Sequence, residues 1–310
     1  MAKAATRDGY GNGLLKIGGN KDVVVLDAGV SDSTRSEKFK EKYPERFFNM
    51  GISEMDMVGT AAGFAKCGKI PFASSFASFL MGRTQDHQLV SVAYSESNVK
   101  LIASHAGVAI GEDGPTAQAV NDVGMARAMP TMIVIEPADA VEAEKVVEFL
   151  VGHKGPAYVR LGRPEVETIY DDSYKFKLGK ASLLKGGGDA AIIASGIMVQ
   201  ESLKAAELLK NEGIEAAVVN MSSIKPIDEK AIVDAAKTGV LIAAQDHNIY
   251  GGLGDAVAAV IAKKTLDVKF DVVGIKDGFA ESDSQEVLFK KYGMDSEAIA
   301  NAVKKAVSQK

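Results

Sequence analysis

The 310-residue chain holds one cysteine, Cys67. A disulfide framework is therefore excluded, and a reducing, cytoplasmic setting is expected. Set in the apolar stretch around Phe64 and Ala65, the thiol is expected to be a small core side chain. Basic clusters are also lacking and the net charge is −5, so no nucleic-acid partner is expected. No apolar stretch reaches the ~20 residues a bilayer-spanning helix needs, so no membrane partner is expected. The opening segment, MAKAATRDGYGNG, carries no apolar run that would read as a secretory signal. There is no H-E-x-x-H, C-x-x-C, P-loop or Ser nucleophile elbow. Fixed short-period repeats and low-complexity segments are absent too.

What is present reads as an ordinary globular composition, 46% apolar and 25% charged, in a chain long enough for two domains with proper cores. Residues 1–20 read as a helix or an extended arm carrying Arg7 and Lys16. Short apolar runs at 23–26, 47–48, 70–74, 99–103, 132–135 and 157–161 read as strands, with helical segments between them at 34–43, 54–65, 76–93 and 139–150. Strands alternating with helices predict an α/β fold with a mostly parallel sheet covered on both faces. Residues 1–165 form the first domain on this reading, and the polar, weakly patterned 166–185 the linker. A second α/β block at 186–310 has strands at 190–194, 216–220, 240–244 and 268–273.

The chain is organised around 47–65, FFNMGISEMDMVGTAAGFA. A Gly51 turn leads into a helix with Ser53 at the N-cap and Asp56 three residues on, a pairing like a capping box. Met55, Met57, Val58, Ala61, Ala62 and Phe64 make it apolar almost all round, which predicts burial on every side. Gly59 and Gly63 would let another backbone approach. Glu54 is then a carboxylate on the first turn of a buried helix, where the dipole favours its ionised form and burial the neutral acid. A solvated or salt-bridged first-turn Glu is the plainer reading.

Ligands of open parallel sheets sit beyond the strands' C-terminal ends. The loops there in the first domain hold Asp27 to Ser31, Gly51 to Glu54, Phe76 and Phe79, 104–117, and Arg163. Each is ambiguous alone. Phe76 and Phe79, at helical spacing, are core or a stacking platform. His105 is a satisfied loop histidine or a catalytic one, and Arg163 pairs with a carboxylate or binds a phosphate. The glycine-rich 107–114 loop, with Glu112 and Asp113, is a turn or a functional loop. In the second domain Tyr250-Gly251-Gly252-Leu253-Gly254 is half of a dinucleotide fingerprint or, better, close helix-to-strand packing. His247 has no assignment.

Together, Gly51-Ile52-Ser53-Glu54, Ile70-Pro71-Phe72, Phe76-x-x-Phe79, Ser104-His105, Gly111-Glu112-Asp113-Gly114-Pro115-Thr116 and Glu136-Pro137-Ala138-Asp139 resemble transketolase in order and spacing. The likeness covers essentially the whole chain and implies a thiamine-diphosphate pyrimidine-binding domain followed by a transketolase C-terminal domain. It implies transfer of a two-carbon ketol unit from a ketose phosphate to an aldose phosphate. Glu54 matches the acid that hydrogen-bonds the cofactor's pyrimidine N1′ and favours the tautomer whose 4′-imino nitrogen removes the thiazolium C2 proton. Phe76 and Phe79 match the pocket packed on the pyrimidine, with Gly51 and Ile52 beside it and Asp27 as a structural acid nearby. His105 and Asp113 match contacts to donor-sugar hydroxyls. Arg163, Ser31 and Arg7 match residues that hold the sugar phosphate.

Three features depart from the family pattern. Ala117 stands where a His is common, and Gly82 where a third aromatic is usual. The family's Gly-Asp-Gly motif for diphosphate and a divalent metal is missing: Gly188-Asp189 and Asp277-Gly278 are only fragments of it. The resemblance therefore implies the C-terminal half of a split enzyme, inactive alone. A partner subunit would carry the diphosphate and Mg2+ (or Ca2+), in a heterotetramer of two copies each. The competing readings are a 2-oxoacid dehydrogenase beta subunit, which shares the fold but lacks the His105 and Glu112-to-Thr116 pattern, and a non-catalytic half that only binds a partner.

Overall fold

A computed structural model describes residues 3–310; Met1 and Ala2, the start of the expected N-terminal segment, lie outside the described residues. The first sheet has seven strands. Across it run Ser223–Lys225, Ile133–Ile135, Ala157–Arg160, Lys100–Ser104, Ile70–Phe76, Val23–Asp27 and Phe47–Asn49. All pair in parallel except Ser223–Lys225, which runs antiparallel to Ile133–Ile135. Val23–Asp27 and Lys100–Ser104 are buried at every position, as parallel strands covered on both faces must be. The chain goes from Val23–Asp27 to Phe47–Asn49 on one side, then to Ile70–Phe76 on the other. The strand order thus reverses between the strands ending in Asp27 and in Phe76, and a crevice opens at such a reversal.

The second sheet runs Lys269–Ile275, Val240–Asn248, Ala190–Ala194, Ala216–Asn220 and Ser182–Lys185. Four strands are parallel and Ser182–Lys185 is an antiparallel edge. Residues 182–185 fall in the stretch read from sequence as linker. Only an edge strand with intermediate and exposed positions forms there, which leaves little hydrophobic signature. Two more short strands, Lys3–Ala5 and Glu165–Glu167, pair antiparallel and close the first domain's N-terminal segment onto its end. No helix among the described residues is long and apolar enough to cross a membrane.

The helices follow their caps. Asp139, Asp228 and Asp295 each accept the backbone N–H three residues on, and the helices Ala140–Gly152, Glu229–Ala236 and Ser296–Val307 start there. The helical run expected over 76–93 is broken into Ala77–Arg83, Gln85–His87 and a π-helical stretch Gln88–Tyr94. The Thr34-to-Tyr43 helix is likewise split, at Arg35 (φ +67°), into Ser31–Thr34 and Glu37–Lys42.

Four expectations about the central helix and its end need correction. Glu54–Lys66 buries Met57, Val58, Ala61 and Ala62, but Met55 is 53% exposed and Asp56 and Gly63 also face out. It is buried on one face only, because no further layer of this chain covers the other. Ser53 is the N-cap residue without a side-chain capping bond. A Cβ on Gly63 would meet nothing within 4 Å, and on Gly59 only His87 at 3.6 Å, so no backbone among the described residues approaches there. Cys67 is exposed at the helix end, where the chain turns at Gly68 (φ +82°).

Candidate active site

Glu54 is the first helical residue and only 4% exposed. It is buried, as the helix reading expects, and also salt-bridged, as the plainer reading allows: both carboxylate oxygens accept from Arg83 Nη1 at 2.9 Å. Arg83 closes the helix that begins at Ala77, and its guanidinium lies 4.2 Å from the centroid of the Phe79 ring. Phe79 in turn stacks on Phe76 (centroids 5.6 Å apart, planes 19° apart), and Phe76 on the imidazole of His105 (3.9 Å, 17°). An acid, a planar cation and three flat rings form one continuous file. Phe76 and Phe79 are half-buried, but Phe76 stacks on both Phe79 and His105 and Arg83 covers Phe79, so a further flat group would reach Phe79 by displacing Arg83.

His105 is buried with φ +56°, a conformation rare for a residue with a side chain. Its Nε2 faces Arg7 Nη1 at 3.3 Å, and its Nδ1 lies 2.9 Å from Ser104 Oγ. A guanidinium only donates, so Nε2 is the acceptor and the proton sits on Nδ1. Burial, together with the charges of Arg7, Arg163 and Arg35, pushes the imidazole down to about 3, so it is neutral near pH 7. Arg7 also donates to the Ser33 carbonyl at 2.9 Å, which brings the Ser31–Thr34 turn, and so Ser31, beside it. Burial first, and then Arg35, lower the Arg7 guanidinium, and its Nε is buried without a partner among the described residues. Arg163 donates to the Ile110 carbonyl at 2.8 Å and reaches Asp113 Oδ1 at 3.3 Å, so it does pair with a carboxylate.

Asp27 organises the neighbouring loop. Its carboxylate accepts from the Val30 N–H (2.6 Å), Thr34 Oγ1 (2.8 Å) and Ser36 Oγ (2.8 Å). Burial raises its pKa, and these hydrogen bonds partly offset that. Gly51 (φ +67°) makes the turn into the Glu54 helix. Ile52, just beyond it, is 84% exposed. Ala117 is buried, whereas Gly82 faces open space. Glu54, Phe76, Phe79, His105, Arg7, Arg163 and Asp113 thus come together along one edge, with Asp27, Ser31 and Gly51 on the adjoining turns.

The sequence reading missed Arg83, although its place four residues after Phe79, on the same helix face, was a usable signal. It also missed a buried polar network behind the site, for which no local pattern exists. Arg160 donates to Asp122 Oδ2 (2.8 Å), Glu136 Oε1 (2.5 Å) and the carbonyls of Ala119 (2.9 Å) and Asp246 (2.8 Å). Ser195 Oγ and Gln245 Nε2 both donate to Glu136 Oε2 at 2.7 Å. Burial opposes the Arg160 charge, but the adjacent Asp122, Glu136 and Asp246 raise its pKa well above the ordinary value. The Tyr250-to-Gly254 segment is packing: a Cβ on Gly252 would fall 2.3 Å from Gln245 Oε1, and one on Gly254 2.7 Å from Val272. His247 is a buried structural residue that faces the Asn248 carbonyl through Nδ1 at 2.7 Å.

Two α/β domains, with a buried acid and aromatic rings at the first sheet's strand-order reversal, define an α/β protein with a ligand site at that crevice. Residues 2–168 match the model of the transketolase pyrimidine binding domain, and 179–299 that of the transketolase C-terminal domain. The chain belongs to the transketolase family, which depends on thiamine diphosphate. A putative transketolase C-terminal section of Methanocaldococcus jannaschii is 45% identical over 300 residues, 96% of this chain and 94% of that protein. Transketolase of Homo sapiens is 40% identical over 99% of this chain, which spans 50% of the human protein. A solved structure described as a split gene transketolase, inactive beta4 tetramer, is 42% identical with a TM-score of 0.92, covering 98% of both chains.

Proposed function

We propose that this chain is the C-terminal subunit of a two-chain transketolase and supplies the pyrimidine side of a site shared with a partner. One observation carries the proposal: the Arg83 guanidinium, flat and rich in N–H, donates to Glu54 while stacked on Phe79. A planar aminopyrimidine asks for the same three things: a buried acid, an aromatic face and room between them. The residues present therefore fit the cofactor, with Arg83 standing where part of it would lie. Thiamine diphosphate, when bound, supplies the nucleophilic carbon for ketol transfer.

Glu54 would hold the pyrimidine by a shared proton, and Phe76 and Phe79 would pack on it. Gly51 and Ile52 would line its edge, and Asp27 would keep the 27–36 loop rigid. His105, neutral and an acceptor at Nε2, suits a sugar hydroxyl, as does the Asp113 carboxylate. Arg7, whose Nε is buried with no partner among the described residues, would hold the sugar phosphate with Arg163 and Ser31.

The diphosphate and Mg2+ (or Ca2+) would be held by an N-terminal partner subunit, in a heterotetramer in the cytoplasm. Ile52, Met55, Leu89, Val90 and Tyr94 are exposed on and near the Glu54 helix, which supports a partner there. Mixing this chain with such a partner, thiamine diphosphate and Mg2+ tests the reading. Ketol transfer should appear only in the mixture and be abolished by Glu54→Gln. Full turnover by this chain alone, or by the Gln variant, would refute it.

A further inference from the structure

The second sheet reverses its strand order between Ala190–Ala194 and Val240–Asn248, the place where an open α/β sheet takes a ligand. Here that place is filled by the first domain's own 105–117 loop. Near the end of Val240–Asn248, the Asp246 carboxylate accepts from the Val108 N–H at 2.8 Å and the Ala109 N–H at 2.9 Å. A Cβ on Gly107 (φ +75°) would sit 2.1 Å from Asp246 Oδ2, so the loop backbone lies directly against the acid. Val108, Ala109 and Val120 belong to the second domain's hydrophobic core. Further along, Ser282 Oγ donates to the Glu112 carbonyl, and Gln118 Nε2 donates to the Glu281 carbonyl at 2.9 Å. The Asp246 carbonyl is itself fixed by Arg160.

We propose that Asp246 is a positioning residue for ketol transfer. The C-terminal domain grips the substrate loop as if it were its own ligand, and so fixes where His105 and Asp113 meet the sugar. This inference rests on the functional reading above for its kinetic consequence, but not for the anchoring itself. Asp246 touches neither sugar nor cofactor on that reading. Its effect is transmitted by two charge-assisted hydrogen bonds to the loop backbone.

The test has two arms, each comparing wild type with Asp246→Asn, Ser282→Ala and the control Asp228→Asn. Asp228 caps a helix of the same domain away from the loop. In the free chain, hydrogen exchange at the Val108 and Ala109 amides should quicken by at least about tenfold in Asp246→Asn, the loss expected for a charged acceptor, with core strand amides unchanged. In the reconstituted complex, KM for the donor ketose phosphate should rise on the order of tenfold in the same variant. Thiamine diphosphate affinity should not move. Ser282→Ala, at an exposed position, should shift KM in the same direction by less, and this stands even if Asp246→Asn fails to fold. Unchanged amide exchange overturns the anchoring, whatever reaction the complex performs. Equal KM shifts in Asp228→Asn, or loss of cofactor affinity alongside KM, overturn the positioning role.

Discussion

Removing Arg160 tests how this molecule holds its two domains together. Its guanidinium, 2% exposed, neutralises Asp122 and Glu136 in one buried site and ties the Ala119 and Asp246 carbonyls across the domain boundary. Arg160→Met keeps the volume and removes the charge. Two buried carboxylates then lose their shared cation, and Asp122 Oδ1 already has no hydrogen-bond partner among the described residues. Breaking one buried pair in this way costs about 3–5 kcal/mol, a large part of a typical stability of roughly 5–15 kcal/mol. With a urea slope of about 2 kcal/mol/M, the unfolding midpoint should fall by about 2 M. Adding Asp122→Asn and Glu136→Gln to Arg160→Met removes the stranded charges and should recover more than half of that loss. A midpoint within about 0.3 M of wild type for Arg160→Met alone, far short of the shift expected from the buried pair, would refute the reasoning. So would a triple variant less stable than the single one.

Two further outcomes follow from the site. His105 has a folded pKa of about 3 against an ordinary 6.5, so between those values the unfolded chain binds a proton that the folded one does not. Stability should therefore fall as pH drops from about 6.5 towards 3, by about 2 kcal/mol at pH 5. Urea midpoints at pH 7 and pH 5 should differ less in His105→Gln than in wild type, by the His105 share, with other shifted groups such as His247 and Asp246 common to both; equal differences would sink the assignment. Arg83→Met should free Glu54 from its pair. An ion pair with one half-exposed partner is worth about 1 kcal/mol, so thiamine diphosphate should bind the reconstituted complex about fivefold more tightly. Calorimetric titration reads this directly, and weaker binding would mean that Arg83 contributes to the site instead of filling it.

Much of the architecture is legible in the sequence because it rests on local patterns. Residues 23–26 and 101–103 are apolar runs between helical segments, so parallel strands buried on both faces follow from the pattern. Loops at the ends of such strands are where a site must lie, and the acid, rings, imidazole and arginine in those loops did converge. The motif spacing carried the family. Short edge elements such as Ser182–Lys185 and Ser223–Lys225 were illegible: their pairing partners are distant in sequence, and a few residues leave no period to read.

What the tertiary structure alone decided is which group each side chain faces. The Glu54 helix looked apolar all round, because sequence reports hydrophobicity and not whether this chain or another supplies the cover. Glu54 itself was foreseen as a buried acid, but its pairing with Arg83 depends on the Ala77–Arg83 helix packing against the Glu54 helix. Asp246 reads as an unremarkable acid at a strand end until the fold sets it against Val108 and Ala109, separated from it by 138 and 137 residues. Periodicity encodes burial; only closing the chain on itself pairs the charges left inside.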